Sequence, residues 1–181
     1  MMVVTWLMAG VILQQRLNPD EARLVRIARQ AVTASVQQTS LPVPDEASAP
    51  AAVFVTIEIG GKVRGCRGGL ETRSHSLEEE VIHAAQSASS HDPRYEPLKA
   101  SDLKEFKVTV TVIDRVEPVG SVDGLRPEDG LVLKAGDATG VVLPFEGRAP
   151  ATRLQWAFRK AGVPVGTPAL LFRMTARRVR G

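Results

Sequence analysis

A chain of 181 residues with 44% hydrophobic content is long enough for one domain with a filled core, and a formal charge of +3 demands no polyanionic partner. Aromatic residues make up only 4%, which leaves little material for stacking unpaired bases and argues against nucleic acid as a partner. The single cysteine rules out an internal disulfide and a Cys-rich metal cluster, so a reducing, cytoplasmic setting is the simplest expectation.

Val3 to Leu13 form an apolar run as long as a signal-peptide core and too short to span a membrane. No Lys or Arg precedes it and no small-x-small cleavage site follows, so residues 1–17 read as an apolar N-terminal extension, with export as the alternative. Residues 18–181 then read as a single domain. Asn18-Pro19-Asp20-Glu21 predicts a helix start: a side-chain cap, proline at the first helical position and acids in the first turn. Leu24, Ile27, Ala28, Ala31 and Val32 recur at helical spacing and mark the core face, with Arg23, Arg26, Arg29 and Gln30 on the back. Leu41 to Ala52, rich in Pro, Ala and Ser, is an extended connector.

Val53 to Ile59 is a β-branched strand, Gly60-Gly61 a hairpin turn, and Lys62-Val63-Arg64 the start of the return strand. That strand runs into Arg64-Gly65-Cys66-Arg67-Gly68-Gly69, which reads as a glycine-rich turn with exposed backbone donors around the only thiol. If strand alternation persists, Arg64 and Cys66 share one face, and neighbouring guanidinium groups favour the thiolate. Ser76-Leu77-Glu78-Glu79 is a second capping box, opening a helix whose N-terminal end is expected to face the cysteine turn. It ends near Ser90 and is followed by the polar turn His91-Asp92-Pro93-Arg94-Tyr95. Ser101 to Glu105 suggests one helical turn, and Phe106 to Val112 alternates as a central strand. Leu131–Ala135 and Gly140–Leu143 form a second hairpin around a four-residue loop, 136–139. A third helix spans about Ala151 to Ala161, with Leu154 and Phe158 inward and Trp156 beside them, and stops at Gly162. Ala169 to Met174 closes the chain as a strand. Hairpins interleaved with single helices predict an α+β fold: a mostly antiparallel sheet with helices packed on it.

Several of these stretches carry a resemblance. Val63-Arg64-Gly65-Cys66-Arg67-Gly68 resembles the (L)RGC(I)G signature of the AMMECR domain family. Leu24-Val25-Arg26-Ile27-Ala28-Arg29 is similar to its first helix, and Ala84-Ala85 with Asp92-Pro93-Arg94-Tyr95 to its AA…DPR(F/Y) segment. Gly130-Leu131 and Val142-Leu143-Pro144 match its G(I/L)…LLP hairpin, and Lys160-Ala161-Gly162 its KAG helix end. The resemblance implies a larger and a smaller lobe with a cleft between them and the RGC signature near it. It also implies Memo-type and radical SAM proteins as partners in a shared modification pathway, but no settled reaction. Arg67 stands where the family has an apolar residue, and Phe145-Glu146-Gly147 where it has Gln-Val.

Two functional readings follow. In the first, Cys66 is a catalytic nucleophile or redox group, one of His75, His83 and His91 is its base, and Asp92 with Arg94 orients an anionic substrate. In the second, the chain is a binding or adaptor module: Arg64, Gly65, Arg67, Gly68, Asp92 and Arg94 recognise a small anionic ligand or a protein, and Cys66 is packing. Asp92-Pro93-Arg94 is equally readable as an Asx turn with no ligand. RNA contact through Arg173, Arg177, Arg178 and Arg180 is the third and weakest reading. No H-x-x-x-H or H-E-x-x-H spacing occurs, so no metal and no cofactor are called for.

Overall fold

The computed structural model describes residues 19–147 and 149–181. The N-terminal apolar run and the Asn18 cap lie outside the described residues. Helix α1 (Pro19–Gln37) buries Leu24, Ile27, Ala28, Ala31 and Val32, the face that its periodicity marks. Arg23 departs from the expected basic back. Its guanidinium turns inward to Glu78, 2.8 Å away, whose fully buried carboxylate also accepts from the backbone and hydroxyl of Ser48. The connector is thereby pinned across the start of the second helix.

Strands β1 (Val53–Ile59) and β2 (Lys62–Gly68) form a hairpin whose two-residue turn, Gly60-Gly61, has φ of 55° and 76°. Helix α2 (Leu77–Ser90) begins at Ser76, whose hydroxyl accepts the Glu79 backbone N–H. A single 3-10 turn, Ala100–Lys104, leads into β3 (Lys107–Val119). After β4 (Gly130–Ala135) and β5 (Ala138–Val142) come α3 (Pro150–Ala161), stopped by Gly162 in the left-handed region, and β6 (Leu170–Arg180). The second hairpin thus turns on two residues, Gly136-Asp137, where the sequence suggests four.

The six strands lie in the order β2-β1-β3-β6-β4-β5, and every pairing is antiparallel. Strands β3 and β6 are much longer than their alternation indicates. They pair from Thr109–Arg180 to Val119–Leu171, with an irregularity between Ile113 and Arg115. The basic C-terminal stretch is therefore a strand in the middle of the sheet, with Arg173 on Glu117 at 2.9 Å and Arg180 paired to Glu58.

These long strands carry two cores. Helices α1 and α2 pack on β1 and the first half of β3, burying Val53, Val55, Ile57, Val81, Val108 and Val110. At the other end, α3 packs on β4 and β5 around Leu131, Leu133, Val142, Ala157 and Phe158. A small cluster that includes Val132, Leu143 and Met174, with Phe54 and Cys66 against it, joins the two. The result is the predicted α+β fold, with the larger and the smaller lobe that the resemblance implies.

Candidate functional site

Cys66 is a strand residue, not part of a turn. It sits in β2, an edge strand of the sheet, opposite Thr56 of β1. The correction has a local cause: Ile57 faces Gly65 but Glu58 faces Val63, so Arg64 is the extra residue of a β-bulge. The bulge shifts the alternation, and Val63, not Arg64, lines the cleft with Cys66. Arg64 is half-buried and is not among the cleft-lining residues. Gly65 is buried against α2, where a Cβ would overlap the carbonyl oxygen of Ala88, so only glycine allows this strand and helix to approach so closely.

That contact also settles which end of α2 meets the thiol. The C-terminal end, Ala88 to Asp92, lies beside residues 65 and 66. The N-terminal end instead receives Ser48 on Glu78 and the backbone of Arg73 and Ser74 on Glu80. The helix dipole therefore gives no help to a thiolate.

The free edge of β2 is closed at residue 66 by the Asp-Pro-Arg turn. The Cys66 backbone N–H donates to Asp92 Oδ2 at 2.8 Å, and Arg94 Nη2 donates to the Cys66 carbonyl at 2.7 Å. Arg94 also holds the same carboxylate through Nη2 at 2.7 Å, Nε at 2.9 Å and its own backbone N–H at 3.1 Å. Two side chains thus supply the donor and acceptor that a neighbouring strand would supply, and two sequence motifs 26 residues apart become one hydrogen-bonded unit. Asp92 is buried, yet the hydrogen bonds from Arg94 and from the Cys66 N–H outweigh its desolvation and hold its carboxyl below the usual range. The guanidinium of Arg94 is held correspondingly more firmly protonated by Asp92.

The sulfur faces the opposite way in charge terms from the expectation. Desolvation by burial pushes the Cys66 thiol up, and the hydrogen bond that Thr56 Oγ1 donates to Sγ at 3.2 Å, with Lys160 and Arg94 nearby, only partly offsets it. Arg64 and Arg67 are not among the larger influences on it. The direction favours the thiol over the thiolate at neutral pH.

Cys66 lines a cleft of about 830 Å³ between the lobes. From the larger lobe come Phe54, Arg67, Gly68, Arg94 and Tyr95; from the smaller come Thr139, Val141, Glu146, Trp156, Arg159 and Lys160. Glu146 is engaged by Lys160 at 2.6 Å and by the Leu143 N–H at 3.0 Å, and Arg94 by Asp92. Among the described residues, neither Arg67 nor Arg159 has a carboxylate partner. Arg67 also borders the groove beside α2, and Arg159 lies 5.8 Å from the centre of the Trp156 ring.

Of the sequence-derived candidates, the structure brings Cys66, Arg67, Gly68 and Arg94 to the cleft and sets Asp92 directly behind them. It places Arg64 and Gly65 elsewhere, and none of His75, His83 and His91 is among the lining residues. The contribution of α3 was missed, although Trp156, Arg159 and Lys160 stand at i, i+3 and i+4 and so share one helix face. Among the described residues no group of three or more His, Cys, Asp or Glu is placed to hold a metal ion, and no helix is long and apolar enough to cross a membrane.

Comparison with known proteins adds three findings. The family model described as AMMECR1 matches residues 25–176. A protein of Aeropyrum pernix is 36% identical, with 81% of this chain and 71% of its own length covered, and one of Thermofilum pendens is 34% identical with 82% of each covered. The crystal structure of an uncharacterized protein, PH0010 from Pyrococcus horikoshii, superposes with a TM-score of 0.77 at 24% identity, covering 90% of this chain and 92% of that one. This last likeness concerns the fold alone.

Proposed function

The chain belongs to the AMMECR1 family, and from that premise we propose that its interlobe cleft binds a small anionic ligand over an uncharged Cys66 thiol. One observation carries the reading: Arg67 on the larger lobe and Arg159 on the smaller line the same cleft without a carboxylate to neutralise either. Two guanidinium groups lining one concave, partly apolar surface concentrate anions there, and planar guanidinium matches a carboxylate or phosphate in two-point hydrogen bonding. The structural pairs are already satisfied, Arg94 with Asp92 and Lys160 with Glu146, so the two remaining arginines are available to a ligand.

A cysteine-dependent reaction is the second reading, favoured by the position of Cys66 in the cleft wall. The raised thiol pKa works against it, since the thiolate is the nucleophile. Titration calorimetry with inorganic phosphate and pyrophosphate at low ionic strength tests the first. One saturable site is expected, weakened at least about tenfold by Arg67→Ala or Arg159→Ala, in line with the loss of a charge-assisted bond. A wild-type protein that binds neither anion sinks the reading.

A further inference from the structure

We propose that the ligand of this cleft carries an aromatic ring beside its negative charge, and that a nucleoside monophosphate is the chemical class that fits. This rests on the anion-binding reading above and adds the ring. The chain has two Trp, one Tyr and five Phe, and three of these, Phe54, Tyr95 and Trp156, line this one cleft. All three are half-buried there.

The rings are also paired with charge in the same way on both lobes. The Arg94 guanidinium lies 5.5 Å from the centre of the Tyr95 ring on the larger lobe, and that of Arg159 lies 5.8 Å from the Trp156 ring on the smaller. Each wall therefore presents a guanidinium lying over an aromatic ring, and planar guanidinium and ring alike accept a stacked base. A base stacks on such a surface, and its phosphate reaches Arg67 or Arg159. A cleft of about 830 Å³ has the volume of sites that enclose ligands of nucleotide size. Thr139 adds a hydroxyl within the lining that suits a sugar. A phosphate without a ring would use the arginines and leave both aromatic walls idle.

The test compares the four common nucleoside 5′-monophosphates with ribose 5-phosphate and inorganic phosphate by titration calorimetry on the full chain. At least one nucleotide is expected to bind about tenfold or more tightly than ribose 5-phosphate, the size of one stacking contact. Tyr95→Ala, on an exposed turn, should remove most of that advantage while ribose 5-phosphate binds as before. Trp156→Leu provides the same test from the other lobe, with a thermal melt to verify folding. Equal affinity for ribose 5-phosphate and every nucleotide overturns the ring while the anion reading stands. Failure of all the phosphates to bind a folded protein overturns both. A single-stranded RNA oligonucleotide binding far more tightly than any monophosphate, with affinity falling steeply with salt, also overturns the proposal, because the ligand would then be a polymer tracked by its backbone.

Discussion

The two walls of the cleft are each held by an arginine, and the two arginines are anchored in opposite ways. On the smaller lobe Arg153 of α3 is fully buried and donates to the backbone carbonyls of Arg126, Asp129 and Leu125 at 2.7, 2.7 and 3.1 Å, with no carboxylate among these partners. On the larger lobe Arg94 is about half exposed and grips a buried carboxylate and one carbonyl, that of Cys66. Arg153 ties down a loop behind the wall. Arg94 does the same for β2 but also lines the cleft, so one residue does both there, whereas on α3 the anchoring falls to Arg153 and the cleft-lining to Arg159.

The comparison is broken most severely at Arg153. Arg153→Ala leaves three carbonyls, two of them in buried bonds, short of a donor and opens a cavity, which is expected to cost about 3–5 kcal/mol and to lower the melting temperature by about 10 °C or more. A thermal melt that barely moves would show that the loop is held by something else. Asp92→Ala comes next, at about 2–3 kcal/mol, because the Cys66 N–H and the Arg94 guanidinium lose their shared acceptor. Its pH dependence has a definite sign. The folded carboxyl titrates below its unfolded value, so its stabilisation is complete above about pH 4 and is lost as pH falls through the folded value. Urea midpoints of wild type and Asp92→Asn should therefore converge in acid and differ at pH 7.

A smaller effect sharpens the contrast at the thiol itself. Because burial raises the Cys66 pKa, alkylation by iodoacetamide should be slower at pH 7.5 than for a free cysteine, with a midpoint above about 8.5. A midpoint below 7 would restore the nucleophile reading. Least disturbing to the fold are Arg67→Ala and Arg159→Ala, both at exposed residues, where changes in stability within about 0.5 kcal/mol are expected alongside the loss of phosphate binding.

Much of this was legible in the order of residues. The core face of α1, the Ser76 cap of α2, the Gly60-Gly61 turn and the Gly162 stop of α3 all depend on contacts within a few residues of one another, and each stands where the pattern places it. The lone thiol among glycines and arginines singled out Cys66, and the resemblance supplied the two lobes and linked Cys66 with Asp92 and Arg94. Their partnership was not readable, since an Asx turn and a clamp on a strand 26 residues away use the same Asp-Pro-Arg letters.

Three outcomes belonged to the tertiary structure. The bulge at Arg64 reversed which neighbour shares the cleft with Cys66, because pairing to β1 across the hairpin, not the strand's own alternation, sets that register. The charge state of the sulfur followed desolvation by packed segments remote in sequence, a stronger influence than the adjacent arginines that suggested a thiolate. And the second cation of the cleft came from α3, more than ninety positions later, delivered by a sheet that turns two separate cores toward a common opening. Helix caps, tight turns and periodicity act over one or two turns of chain and are written locally; long-range hydrogen bonds, solvent exclusion and electrostatic neighbourhood depend on everything nearby in space, and they exist only once the chain has closed on itself.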